Sequence, residues 1–104
     1  MQIQINTDHN IEGNERLANF YTSEINKELD RFDQFITRIE VHFGDENSEK
    51  FGKNDKKCLI EARIIKKEPI AVTAYEESIE KAFYTALEKI KRVLTSTHEK
   101  MRTY

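Results

Sequence analysis

The stretch PIAVTAYEESIEKAFYTALEKIKRVL, residues 69–94, decides the fold, because its apolar pattern changes period partway along. Ile70 to Thr73 reads as a short fourth strand, and Pro69 is tolerated at its head because the first residue of an edge strand can lack an N–H donor. Thr73-x-x-Glu76 then resembles a capping box. From Ile79 the apolar positions Ala82, Phe83, Ala86, Leu87, Ile90, Val93 and Leu94 keep helical spacing for more than four turns. Glu76, Glu77 and Glu80 at its start and Lys89, Lys91, Arg92 and Lys100 towards its end suit the helix dipole.

Upstream, residues 57–65 alternate, with Cys58, Ile60, Ala62 and Ile64 inward and Leu59, Glu61, Arg63 and Ile65 outward, so a third strand precedes the Lys66-Lys67-Glu68 turn. Residues 44–57 (GDENSEKFGKNDKK) are polar, hold two of the three glycines and have no period, which predicts a loop of about 13 residues. Phe35 to Phe43 alternates as strand two, with Phe35, Ile39, Val41 and Phe43 on one face and Arg38, Glu40 and His42 on the other. Leu17, Phe20, Tyr21, Ile25, Leu29 and Phe32 form the stripe of a helix over about residues 14–32, with Asn14 as its N-cap. Gln2 to Asn6 alternates as strand one. The order is β-α-β-β-β-α, an α+β fold in which each helix has one apolar stripe. Both helices are therefore expected on one face of an open four-stranded sheet.

The chain has 104 residues, one cysteine and no tryptophan, enough for one small domain spanning residues 1–104. Its apolar runs fall far short of the roughly 20 residues of a membrane span, and MQIQINTD lacks a signal-peptide pattern, so a cytoplasmic protein with no membrane partner is expected. Cys58 alone can form no intrachain disulfide, and no phosphate-binding or nucleophile-elbow motif occurs. No enzymatic activity and no cofactor are expected.

Charge is uneven. Residues 1–49 carry 4 basic and 11 acidic side chains, whereas residues 50–104 carry 13 basic and 8 acidic. A polyanion would be met by one side only. On helix two, Lys81, Thr85, Lys89, Arg92 and Ser96 share a flank and form a basic edge of about 20 Å, a spacing that suits successive phosphates. The plain alternative is a solvated helix face. On the open sheet face Arg38, Glu40, His42, Glu61 and Arg63 are expected as cross-strand ion pairs, and a lack of exposed aromatics there argues against base stacking. His42, Asp45, Glu46, Asp55, Cys58 and Glu61 bracket the loop without any recognised metal spacing. Cys58 reads as core, and His98 as a surface residue.

Three strings carry a family resemblance: LDRFDQFITRIEVHF (29–43), PIAVTA (69–74) and AFYTALEKIKRVL (82–94). The chain resembles the ribosome hibernation-promoting factor family, also called ribosome-associated inhibitor A or sigma-54 modulation protein. It is most similar to a short branch with R-x-E-V-H at Arg38 to His42, D-E-N at Asp45 to Asn47, D-K-x-C-x-x-E-A-R at Asp55 to Arg63 and P-I-A-V-T at Pro69 to Thr73. The resemblance implies a fold like that of double-stranded-RNA-binding domains. It also implies a stress-response regulator of translation that occupies the mRNA and tRNA channel of the small ribosomal subunit, with rRNA rather than DNA as partner. Lys89, Arg92 and Lys100 match basic positions of the family's last helix. Ser96 and His98 stand at two further basic positions, and helix one carries Glu24, Glu28 and Asp30 where relatives carry more lysine.

The expected rRNA contacts are Lys81, Lys89, Arg92 and Lys100 with Lys56, Lys57, Arg63, Lys66 and Lys67. A branch-specific site is expected among Arg38, Glu40, His42, Asp45, Glu46, Asn47, Asp55, Cys58 and Glu61. Two other readings remain open: a charge-driven protein-interaction module, and a metal- or ligand-binding protein using the loop end of the sheet.

Overall fold

The computed structural model describes residues 1–8, 11, 13–45 and 55–102. Strands β1 (Gln2–Thr7), β2 (Ile36–Asp45), β3 (Lys56–Ile64) and β4 (Ile70–Glu76) form one sheet in the order β1-β2-β3-β4. Helix α1 (Glu15–Leu29) lies between β1 and β2, and α2 (Ile79–Arg102) follows β4. β1 runs parallel to β2, and the other two pairings are antiparallel. This is the expected α+β arrangement.

Alternation puts Ile39, Val41 and Phe43 of β2, Cys58, Ile60, Ala62 and Ile64 of β3, and Ala74 of β4 on the core face. Tyr21, Ile25 and Leu29 of α1, Phe32, Phe35 and Ile36 where the chain passes from α1 into β2, and Ala82, Phe83, Ala86, Leu87, Ile90 and Leu94 of α2 complete that core. Each large apolar side chain removed from water there contributes about 1.5–3 kcal/mol. The helices run in the same direction, because Glu24 and Glu28 of α1 and Arg31 just beyond its end meet Tyr84, Lys91 and Thr95 of α2 in ascending order.

Asn14 caps α1, its side-chain oxygen accepting from Leu17 N at 2.8 Å. The expected helix end at residue 32 is reached by a change of pitch, since Asp30–Phe32 tighten into a 3-10 turn. Phe20 departs from the expected stripe: it is 48% exposed, with its ring edge against Tyr21, because the 21-25-29 row takes the core. Val93 is likewise exposed. A register shift between Ile36 and Arg38 lets Ile36 join Ile39 in the core, although simple alternation would separate them.

The capping box expected at Thr73 does not form. β4 continues to Glu76, where pairing with Lys56 extends the sheet ladder, and Ser78 caps α2 by accepting from Lys81 N at 3.1 Å. Extended pairing of Thr73 to Glu76 uses several backbone groups, against the one or two that a capping box would satisfy. The loop expected over residues 44–57 is shorter at both ends, because β2 reaches Asp45 and β3 starts at Lys56; residues 46–54 lie outside the described residues. His98 is half-buried rather than superficial, its ring stacked on Phe35 with centroids 5.0 Å apart and planes 9° apart.

Candidate nucleic-acid interface

Helix α2 carries four of the nine expected cations, Lys81, Lys89, Arg92 and Lys100, and the fold gives them unequal surroundings. Lys81 pairs with Glu77 one turn back, which raises the lysine and lowers the carboxylate from their ordinary values, the hydrogen bond being the main cause of each shift. Lys89 crosses to the outer strand, where its Nζ donates to the Thr73 carbonyl at 2.8 Å. Thr85 donates to Glu76 at 3.1 Å. The side chain of Arg92 makes no hydrogen bond or ion pair among the described residues; it borders a shallow depression with Arg31, Lys91, Thr95 and Glu99.

Along the seam between the helices, charge is cancelled. Lys91 Nζ lies 2.9 Å from Glu28 and 3.8 Å from Glu88, and its hydrogen bond holds the Glu28 carboxyl below the usual range. Arg31 donates to Thr95 at 3.0 Å. Tyr84 donates to Glu24 at 2.7 Å, and that bond, with smaller contributions from desolvation and the negative charges of Glu24 and Glu80, pushes the phenol up to about 12. The acidic residues Glu24 and Glu28 of α1 are thereby turned to partners on α2.

A different arrangement exists where the β3–β4 turn meets the last turns of α2. Ile64, Lys66, Lys67, Glu68, Ile70, Thr97 and Lys100 line an open groove of about 720 Å³. Lys67 N donates to Ile64 O at 3.3 Å, closing a four-residue turn whose third residue, Lys66, has φ 59°. That position normally favours glycine. The Lys66 and Lys67 side chains are exposed and make no hydrogen bond or ion pair among the described residues, and Lys100 reaches the same groove from the helix.

The remaining expected cations are on the sheet. Lys56 bridges Asp45 at 3.4 Å and Asp55 at 3.0 Å, and these carboxylates raise its pKa, the Asp55 hydrogen bond most. Lys57 also interacts with a neighbour. Arg63 lies 3.4 Å from Glu61 and 3.7 Å from Glu40 on the open face. Glu40 is the hub of that face: Arg38 Nε sits at 2.8 Å, His42 Nε2 at 3.2 Å, and the Arg38 hydrogen bond is the main cause of its lowered pKa. Arg38 also donates to Gln2 at 3.2 Å and to Gln4, tying β1 to β2.

The expected branch-specific residues are therefore divided among three places. Arg38, Glu40, His42 and Glu61 share the open face, Asp45 and Asp55 meet Lys56 at the strand ends, and Cys58 lies in the core, where burial pushes its thiol up to about 12. Glu46 and Asn47 lie outside the described residues. Among the described residues no group of three His, Cys, Asp or Glu side chains is placed to hold a metal ion.

Sequence reasoning missed Tyr75. It pairs with Lys57 across β3 and β4, on the opposite face from buried Ala74, and is 47% exposed, so the open face does carry an aromatic. The signal was the alternation of Ala74, Tyr75 and Glu76, hidden by the apparent capping box. The left-handed turn at Lys66 had no signal, because no glycine marks it.

No curated protein matches the chain. Among solved structures, the N-terminal domain of Protein Y from Thermus thermophilus aligns with a TM-score of 0.71 and 15% identity, covering 93% of this chain and 99% of that one. A ribosomal subunit interface protein from Coxiella burnetii aligns with a TM-score of 0.69 and 17% identity, covering 95% of this chain and 99% of that one. At such identities the likeness is one of fold. The sequence itself matches the family model described as sigma 54 modulation protein / S30EA ribosomal protein over residues 3–102, nearly its whole length, and the chain belongs to that family.

Proposed function

We propose that the chain is a ribosome-associated regulator of translation. It acts in the cytoplasm by occupying the rRNA channel of the small subunit, and it inactivates or preserves idle ribosomes without catalysing a reaction. Family membership supports the ribosomal setting. The observation that carries the RNA contact is the set of cations left without an internal partner among the described residues, Lys66, Lys67 and Arg92, with Lys100 beside the first two. Cations already held by carboxylates gain less from meeting a phosphate, since a bond must be exchanged.

The test is co-sedimentation of the purified chain with small subunits and whole ribosomes across a salt series. Stoichiometric pelleting that weakens steeply as salt rises is expected, because each phosphate contact releases counterions. Arg92→Glu combined with Lys66→Glu should abolish pelleting at moderate salt. Absence of pelleting by the unaltered chain at low salt would overturn the reading.

A further inference from the structure

The groove at the β3–β4 turn has more than charge. Its wall combines half-buried Ile70 and the small exposed edge of the core residue Ile64 with Lys66, Lys67, Lys100, Thr97 and Glu68. Its volume of about 720 Å³ falls within the range of roughly 300–1,000 Å³ in which pockets take small organic groups. A surface serving only to grip phosphates has no use for an apolar wall. Nor does it gain from a carboxylate, which repels them.

We propose that this groove takes one unpaired nucleotide of an RNA strand, with its base against Ile64 and Ile70 and the adjoining phosphates on Lys66, Lys67 and Lys100. The inference rests on the RNA-binding reading above and adds the form in which the RNA is held. An unpaired base presents both an apolar face and exocyclic amino groups, so Ile70 and Glu68 each have a complementary partner. A duplex keeps its base faces stacked, and side chains reach mainly its phosphates and sugars. An acidic peptide would satisfy the lysines but, being made of acidic side chains, would bring neither an apolar face for Ile70 nor an amino group for Glu68. Three lysines around one groove also exceed what a mononucleotide's phosphate requires, which favours a strand with successive phosphates.

The turn supports the same reading. Lys66 holds φ 59°, a conformation that glycine adopts without strain, and it does so at the rim of the groove. A lysine there places a cation where the more comfortable residue would place none.

The experiment uses the full chain and fluorescence anisotropy with a labelled adenosine decaribonucleotide, and with an RNA duplex of equal charge. The single strand should bind about ten-fold more tightly, in line with the contribution of one well-packed base. Ile70→Lys is the decisive variant, with its fold checked by circular dichroism. It adds a cation while removing the apolar wall, so it should weaken single-strand binding about five-fold. If charge alone governs the groove, Ile70→Lys will strengthen binding, and the proposal fails. Ile70→Ala keeps the charge constant and should weaken the single strand while leaving the duplex unchanged. Equal or tighter binding of the duplex would overturn the proposal. Competition by adenosine monophosphate as effective as by unlabelled decamer would replace the RNA strand with a free nucleotide, and preferential displacement by polyglutamate would replace it with an acidic peptide. Ribosome pelleting separates the two readings. If ribosomes pellet the chain but the single strand has no advantage, only the groove inference falls; if ribosomes never pellet it, the regulatory reading falls with it.

Discussion

The helix seam and the β3–β4 groove both contain lysine and arginine, yet they differ in what answers the charge. In the seam, Glu28 and Glu88 face Lys91, and Arg31 is turned to Thr95. In the groove, Lys66 and Lys67 project from a turn with no hydrogen-bond or ion-pair partner among the described residues. A count of cations along the sequence treats the two places alike. The fold makes one a cohesive surface between helices and the other a surface with unspent positive potential.

The largest effect that sharpens this contrast comes from charge reversal in the groove. Lys66→Glu with Lys67→Glu should lower rRNA affinity by about two orders of magnitude at moderate salt and reduce the salt slope by about 2, one for each lost phosphate contact. The same substitutions should leave the thermal midpoint nearly unchanged. An affinity loss matched by Lys91→Glu at the seam would erase the distinction between the two regions.

Next in size is Lys66→Gly. Removing a side chain from a left-handed backbone position should stabilise the domain by about 1 kcal/mol in denaturant titration, while weakening RNA binding. Stability and binding must move in opposite directions. Loss of both would mean that Lys66 serves the turn rather than the groove.

Lys91→Ala should lower the thermal midpoint slightly and leave affinity within about two-fold, since exposed and half-exposed ion pairs contribute little. A double-mutant cycle with Glu28→Ala should show the coupling directly. The smallest effect is spectroscopic. Tyr84 should ionise near pH 12 by ultraviolet absorbance, and Glu24→Gln should move that transition down towards the ordinary tyrosine value of 10. The raised pKa means that this hydrogen bond contributes fully below pH 10 and is lost as pH rises through 12.

Much of the fold was legible because period alone carries it. Cys58, Ile60, Ala62 and Ile64 alternate, and Phe83, Ala86, Leu87, Ile90 and Leu94 follow a helix; both sets are buried together. The missed features depend on competition or distance. Thr73 and Glu76 have the letters of a cap, but strand pairing with Leu59 and Lys56 takes them, Tyr75 goes to the open face, and Glu76 turns to the helix side to accept from Thr85. Ile36 enters the core only because the register shifts beside Thr37. The candidate site was less legible than the fold. Nothing local to Lys91 reveals that Glu28, far away in sequence, shares its charge, and nothing local to Lys100 reveals that it faces the same groove as Lys67. Partner assignment is a tertiary property, so the nine expected RNA contacts could be named from sequence but not ranked.

The bond from Lys89 to the Thr73 carbonyl has a consequence for association between copies of the chain. β4 is an outer strand, and an outer strand offers its backbone groups to any extended segment that approaches. Lys89 covers part of that rim with a hydrated cation and occupies the Thr73 acceptor. A helix residue thus guards the sheet against growing by one more strand, and its replacement by a small apolar residue opens a route to fibrous aggregation that leaves every core contact in place.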